Sequence, residues 1–259
     1  MRKGIGIAGI AGRMGRMLAE EAAAAGLRVV GGIDRNATPE QSMFTDMAAL
    51  AAHSDVVVDF THASAAIGHA AAVAQAGGGW VLGTSGLTAD DEAAVKRAAQ
   101  SVPVVYAANF SPGVALVLAV AERMAAALPA DGYDAEIVEM HHRQKVDAPS
   151  GTALALGRAV ALGRGVALED VRESGRDGQT GARRPGAIGF ASLRGGQVVG
   201  EHTLILAAAD EQVTLTHRAF DRRSFATGAI RAAIWLHGRP PGLYGMADVL
   251  GLAAALPLA

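Results

Sequence analysis

The chain has 259 residues, 51% of them hydrophobic and many of those alanine, with a formal net charge of -2 and no cysteine. That length buries a substantial core in one large domain or two modest ones, and the missing cysteines exclude disulfides, thiolate metal sites and a cysteine nucleophile. No apolar run approaches the ~20 residues of a spanning helix, no basic block suits nucleic acid, and Met1-Arg2-Lys3-Gly4 leads into a strand pattern without a signal peptide, so a cytoplasmic protein with no membrane or nucleic-acid partner is expected.

Residues 4–8 (GIGIA) form a short apolar run that reads as a buried strand. Gly9-Ile10-Ala11-Gly12-Arg13-Met14-Gly15 follows, then a helix from Arg16 to Ala25 closed by Gly26. Val29 to Ile33 is a second strand, ending at Asp34-Arg35. Strand, glycine turn, helix, strand and acid is the order a dinucleotide-binding unit requires. The glycines admit a pyrophosphate close to the backbone, and the helix N-terminus supplies N–H donors and a favourable dipole. Asp34, 19 positions after Gly15, can accept hydrogen bonds from ribose hydroxyls, whereas Arg35 can pair with the extra phosphate of NADPH. A glycine triplet alone is a weak signal in a chain with 33 glycines, and its bland alternative is a turn that only lets helix and sheet pack closely.

A polar segment (Asn36 to Asp46) and a helix near Met47–Ala52 precede a strand at Asp55–Phe60, which ends in Thr61-His62. A helix over Ser64–Ala76, a strand at Trp80–Leu82 ending in Gly83-Thr84-Ser85-Gly86, a helix over Ala89–Gln100 and a strand at Val102–Tyr106 ending in Ala107-Ala108-Asn109-Phe110 complete the pattern. Five strands alternating with helices predict a Rossmann-type, doubly wound parallel sheet in an α/β fold. Ligands of such sheets sit at the carboxyl ends of the strands, so these polar loops are expected to line one crevice with the glycine turn. His62 reads as a loop residue near that crevice rather than a catalyst.

Ser111-Pro112-Gly113 breaks the alternation. A helix over Val114–Ala127, a strand near Asp134–Met140 and a helix over Thr152–Leu162 come next, then a glycine- and arginine-rich loop region over 163–186. Ala187–Leu193, Gln197–Leu206 and Gln212–Ala219 read as three strands of an antiparallel or mixed sheet. Ser224–His237 is helical, and the tail from Pro240 holds a short turn over Tyr244–Leu250. The expected organisation is a dinucleotide-binding domain over 1–110, a smaller α+β substrate and oligomerisation domain with a mixed sheet over 111–219, and a return to the first domain over 220–259. Trp235, Leu236 and Leu250 need an apolar partner there.

Glu139 to Ala153, EMHHRQKVDAPSGTA, collects the chemistry. Glu139, at a strand end, is placed to fix a histidine or a backbone group. His141 and His142 point opposite ways in an extended chain, and either can transfer a proton near neutral pH. Of 23 basic residues only Lys3, Lys96 and Lys145 are lysine, so Lys145 stands where arginine is the chain's habit. It can stabilise developing negative charge or protonate it; Arg143 can only grip an anion. Asp147 can orient a basic group or cap a turn. Ser150 reads as an N-cap, with the N–H groups of Gly151 and Thr152 offered to an anion. Adjacent histidines share a metal poorly and no acid cluster completes a shell, so no metal is predicted. Ser150 lies in no nucleophile elbow. A proton donor, a cationic cradle and a nicotinamide-binding domain together suit hydride transfer to an activated C=C or C=N of a small dicarboxylate. The alternatives are another NAD(P)-dependent dehydrogenase of this architecture acting on an amino-dicarboxylate, and a nicotinamide-sensing regulator, which would need a DNA-binding element the sequence lacks.

These motifs resemble those of the 4-hydroxy-tetrahydrodipicolinate reductase (dihydrodipicolinate reductase) family of the diaminopimelate route to lysine. The likeness rests on Gly9–Gly15, Asp59-Phe60-Thr61, Gly83–Gly86, Ala108–Ser111, Glu139–Ala153, Gly186–Phe190 and Gly200–Thr203, and spans nearly the whole chain. It implies His141 as proton donor or acceptor, Lys145 as proton donor, and His142, Gly151 and Thr152 as substrate contacts. It implies NADH or NADPH against Gly9, Ile10, Ala11, Gly12, Arg13, Met14, Asp34, Arg35, Gly83, Thr84, Ser85, Ala107, Ala108, Asn109 and Phe110. It also implies a homotetramer built on the second domain's sheet and a hinge that closes on binding. The chain departs from the family at Ile10 (usually alanine), at Ser85 (usually threonine) and in a shorter segment between Arg35 and Asp55.

Overall fold

A computed structural model describes residues 4–35 and 43–252, so most of the polar segment after Arg35, the extreme N-terminus and the apolar tail beyond 252 lie outside the described residues. The chain forms two compact units, Met1–Pro112 with Arg223–Ala259, and Gly113–Arg222.

The first unit alternates strand and helix: β1 (Ile5–Ala8), α1 (Arg13–Ala24), β2 (Val29–Ile33), α2 (Met47–His53), β3 (Val56–Asp59), a single 3-10 turn (Ala63–Ala65) running into α3 (Ala66–Ala76), β4 (Gly79–Leu82), α4 (Ala89–Ala98) and β5 (Pro103–Tyr106). All pairings are parallel. Parallel strands are covered on both faces, and β1, β3 and β4 are accordingly buried at every position. Helix α4 begins in a capping box, Thr88 with Asp91, and carries acid in its first turn and Lys96-Arg97 in its last, matching the helix dipole.

Within the second unit, α5 (Pro112–Ala127, which begins at the boundary), β6 (Asp134–His141), α6 (Gly151–Gly163), α7 (Leu168–Val171), β7 (Arg172–Ser174), β8 (Ile188–Arg194), β9 (Gly200–Ala207) and β10 (Gln212–Ala219) build a mixed sheet in the order β10-β9-β6-β8-β7. The β10–β9 and β9–β6 pairs are antiparallel; β6–β8 and β8–β7 are parallel. Burial alternates along β6 and β9, so one face packs and the other is open. The packed face joins Ile137, Ile188, Phe190, Leu204 and Leu206 to Leu156 and Val160 of α6. Gly157 permits that approach, since a Cβ there would stand 2.4 Å from the Phe190 ring.

Two regions differ from the sequence expectation. The predicted loop over 163–186 contains α7 and β7; Arg-Glu-Ser has no apolar alternation, and a charged three-residue strand at a sheet edge leaves no periodic signal. The C-terminal segment contributes α8 (Arg223–Leu236), a strand β11 (Gly242–Tyr244) that the sequence does not predict, and α9 (Met246–Val249) within the predicted turn over Tyr244–Leu250. Strand β11 pairs parallel with β5, giving a six-stranded order β11-β5-β4-β3-β1-β2. Leu236 is fully buried near Gly79, and Trp235 meets Tyr244 edge-on at 5.2 Å, so the apolar residues of the tail find their partners in the first unit.

Candidate active site

In the first unit the turn after β1 is built by its glycines. Gly9 adopts φ +85°, and a Cβ on Gly15 would lie 2.1 Å from the Gly9 carbonyl oxygen, so α1 can approach the turn only with glycine there. Helix α1 is capped by Gly12 with no side-chain hydrogen bond, which leaves its first-turn N–H groups to a ligand. The Asp34 carboxylate accepts from the Ala11 N–H at 3.2 Å, tying the end of β2 to the turn. Ile10 lies over Gly32, where a Cβ would be 2.6 Å from the Ile10 Cβ; the bulkier residue in the turn is accommodated by a bare backbone on β2.

A cavity of about 460 Å³ opens beside this turn, lined by Gly9, Gly12, Asp34, Arg35, Phe44, Thr61, His62 and His69 among others. His62 accepts from the Ser64 N–H through Nδ1, so its ring is pinned as the cap of the 3-10 turn. Beneath the cavity the fully buried Asp59 accepts from the Thr61 N–H and hydroxyl, His69 Nδ1 and Trp80 Nε1. The loops after β3, β4 and β5 converge. The Thr84 hydroxyl donates to the Thr61 carbonyl at 3.0 Å, and the rings of Phe60 and Phe110 sit 5.5 Å apart. A Cβ on Gly83 would be 2.3 Å from the Phe60 ring. Gly83, Thr84, Ser85 and Ala107–Phe110 do not line that cavity, and Thr84 and Phe110 are buried. The bare turn, the uncapped helix and the acid at the end of β2 fit a nicotinamide dinucleotide.

In the second unit, Glu139 is the hub. It is 1% exposed. Its carboxylate accepts from His141 Nδ1 (2.6 Å), the Ser150 N–H (3.2 Å) and both terminal nitrogens of Arg194 (2.9 and 2.8 Å). Burial raises its pKa, but hydrogen bonds from Arg194, Ser192 and His141 outweigh burial and hold it at about 2. An ionised carboxylate only accepts, so Nδ1 of His141 carries the proton and Nε2 is the nitrogen left for chemistry. Burial lowers the His141 pKa against the pull of Glu139. A Cβ on Gly200 would lie 2.9 Å from that Nε2.

Lys145 pairs with Asp147 at 2.8 Å, and the ammonium lowers the Asp147 pKa. His142 donates its N–H to the Val198 carbonyl, and its Nδ1 is buried without a partner. Arg143 is exposed. Ser150 caps α6, accepting from the Ala153 N–H at 3.1 Å, and its Oγ lies 3.0 Å from Nε2 of the buried His202. His202 stands edge-on to His141 at 5.0 Å, and burial, then the charge of His141, push its pKa down to about 4. Gly151, at the first position of α6, presents a first-turn N–H with open space around its Cα. Sequence reasoning missed Arg194 and His202. The signal available was a buried acid in need of a cation and the Gly200–Thr203 motif.

Both regions of the chain have known relatives. Residues 3–110 match the family described as dihydrodipicolinate reductase, N-terminus, and residues 113–250 match dihydrodipicolinate reductase, C-terminus. The chain is 64% identical over 253 residues to the 4-hydroxy-tetrahydrodipicolinate reductase of Granulibacter bethesdensis, covering 96% of this chain and 97% of that one. It is 48% identical to the protein of the same name from Thiobacillus denitrificans, covering 96% and 98%. The dipicolinate-bound dihydrodipicolinate reductase of Paenisporosarcina sp. TG-14 shares the fold, with a TM-score of 0.74, 22% identity and coverage of 94% and 97%. With both family regions and full-length relatives in agreement, this chain belongs to the dihydrodipicolinate reductase family.

Proposed function

We propose that this protein reduces 4-hydroxy-tetrahydrodipicolinate, with loss of water through dihydrodipicolinate, to tetrahydrodipicolinate, using NADH or NADPH. One observation carries the reading: in a chain 64% identical to a reductase of that name, Glu139 holds His141 and the start of α6 and is joined through Arg194 to Asp147, the partner of Lys145. A bound nicotinamide supplies a hydride to an activated double bond. The chain's own residues then hold a dianion and manage one proton.

Gly9 to Met14, Asp34, Arg35, Gly83–Ser85 and Ala107–Phe110 bind the dinucleotide in this reading. The uncapped start of α1 and the Asp34 carboxylate support it. His142 and the Gly151 and Thr152 N–H groups hold the substrate's carboxylates, as a helix N-terminus favours. Lys145 protonates the carbon next to the new C–H bond, and His141, whose Nε2 is freed by the Glu139 contact, gives or takes a proton. Residues 1–110 serve the dinucleotide, 111–219 the substrate and assembly, and 220–259 complete the first unit. A cytoplasmic homotetramer is part of the reading. Val138, Met140, Ile205 and Leu193 (51% exposed) on the open face of the second sheet support it, as an apolar patch that a second copy can cover. No helix among the described residues is long and apolar enough to cross a membrane.

The test couples the purified chain to the condensation of pyruvate with aspartate semialdehyde and follows NADH or NADPH oxidation at 340 nm. Substrate-dependent oxidation is expected. Its absence with both cofactors would overturn the reading.

A further inference from the structure

We propose that Arg194 is a positioning residue for the reaction, joining the carboxylate that orients His141 to the loop that carries Lys145 and leads into α6. The proposal rests on the roles given to His141 and Lys145 above.

Parallel pairing of β6 with β8 sets Arg194 opposite His141, two residues beyond Glu139. Its guanidinium meets Glu139 in a two-pronged contact, Nη1 to Oε2 at 2.9 Å and Nη2 to Oε1 at 2.8 Å. The same Nη2 donates to the Asp147 carbonyl at 2.6 Å, and Nη1 to its neighbour's carbonyl, Leu193 O, at 2.6 Å. Glu139 meanwhile holds His141 Nδ1 and the Ser150 N–H. One guanidinium–carboxylate pair therefore gathers β6, the end of β8, the Asp147 turn and the first residue before α6.

The loop needs such a tie. Val146 is 97% exposed, and Asp147 and Ala148 are exposed as well, so no apolar side chain anchors the stretch between Lys145 and Ser150 apart from half-buried Pro149. The Asp147 side chain is spent on Lys145, and its carbonyl is spent on Arg194. The lysine's partner is thus fixed through its own backbone by the residue that fixes the histidine's partner. Lysine at 194 could not reproduce this, because a single ammonium cannot span both oxygens of Glu139 and the Asp147 carbonyl together.

The experiment uses the full chain with Arg194→Lys and Arg194→Ala. Both are expected to lower kcat about 10²-fold, the order a small misplacement of reacting groups costs, while the Kd for the dinucleotide stays at the wild-type value. Millimolar guanidinium ion is expected to restore part of the Arg194→Ala turnover and none of that of Arg194→Lys. Wild-type kcat in folded Arg194→Lys, or a loss confined to dinucleotide Kd, overturns the proposal. Should Arg194→Ala fail to fold, Arg194→Lys carries the test with its charge and bulk retained. NMR titration of the His141 ring needs no turnover: an upward shift on losing Arg194 supports the tie, and an unchanged titration counts against it. An inactive wild type, with the His141 titration shifted on losing Arg194, would sink the functional reading while leaving the tie of Arg194 through Glu139 to His141 in place.

Discussion

The two units present their polar groups by opposite means. In the first, the polar surface beside the cavity is largely backbone: a positive-φ glycine and a helix start with no side-chain cap. In the second it is a buried ionic cluster, with Glu139 at 1% exposure joined to Arg194, His141 and Ser150. A backbone site is damaged by adding volume. A side-chain cluster is damaged by removing charge and is written into the pH dependence of stability. The two tryptophans, Trp80 and Trp235, both lie in the first unit, so their fluorescence reports that unit while far-UV circular dichroism reports both.

The largest contrast is expected in turnover. His141→Ala and Lys145→Ala are expected to lower kcat by about 10²- to 10⁴-fold with dinucleotide affinity, read by titration of fluorescence, left in place. Near-normal kcat in both would dissolve the distinction between a unit that binds and a unit that transfers protons. Next comes Glu139→Gln, which leaves Arg194 without its ion. It is expected to destabilise the second unit by about 3–5 kcal/mol, visible as an early transition in circular dichroism without a matching one in tryptophan emission.

Acid sharpens the same contrast. His202 is held at about 4, below the ordinary 6.5, so between these values the unfolded chain binds a proton that the folded unit refuses. Stability therefore falls as pH drops from 6.5 toward 4, by about 3 kcal/mol in the limit. Glu139, held at about 2 rather than 4.5, adds stability that is present above pH 4.5 and lost as pH falls toward 2. Denaturant melts of His202→Gln are expected to lose most of the slope between pH 6.5 and 4; an unchanged slope would remove His202 from the account. Gly15→Ala acts on the other side. Its Cβ meets the Gly9 carbonyl at 2.1 Å, and overpacking of this kind costs about 1–3 kcal/mol. Weaker dinucleotide binding and an earlier tryptophan transition are expected, with the His141 ring titration unmoved. Thr88→Ala, which opens the capping box of α4, is the smallest, at about 1 kcal/mol by thermal melting.

Local chemistry made part of this legible in advance. The VVVD run, the glycine turn and the Ser150 cap carry their structure in neighbouring residues, and Glu139 meets both kinds of partner its position allows, a histidine and a backbone N–H. Arg194 lies 55 positions from Glu139, and only the parallel β6–β8 register brings them together, which no periodicity records. The same holds for Asp59, two of whose donors come from α3 and β4. Strands β7 and β11 are three residues each, too short to show a period of two, and are held by their neighbours rather than by their own composition.

Strand β11 and helix α8 set an order of events. The sheet of the first unit ends at β5 until Gly242–Tyr244 pairs beside it, and Gly228 of α8 fits so closely over Phe110 that a Cβ would stand 1.8 Å from the Phe110 carbonyl oxygen. The whole of the second unit is encoded between these parts. During synthesis the ribosome must deliver every residue of the second unit before the first can close its edge. The amino-terminal 112 residues alone would therefore emerge as an unfinished sheet with a bare β5 edge, open to pairing with another chain.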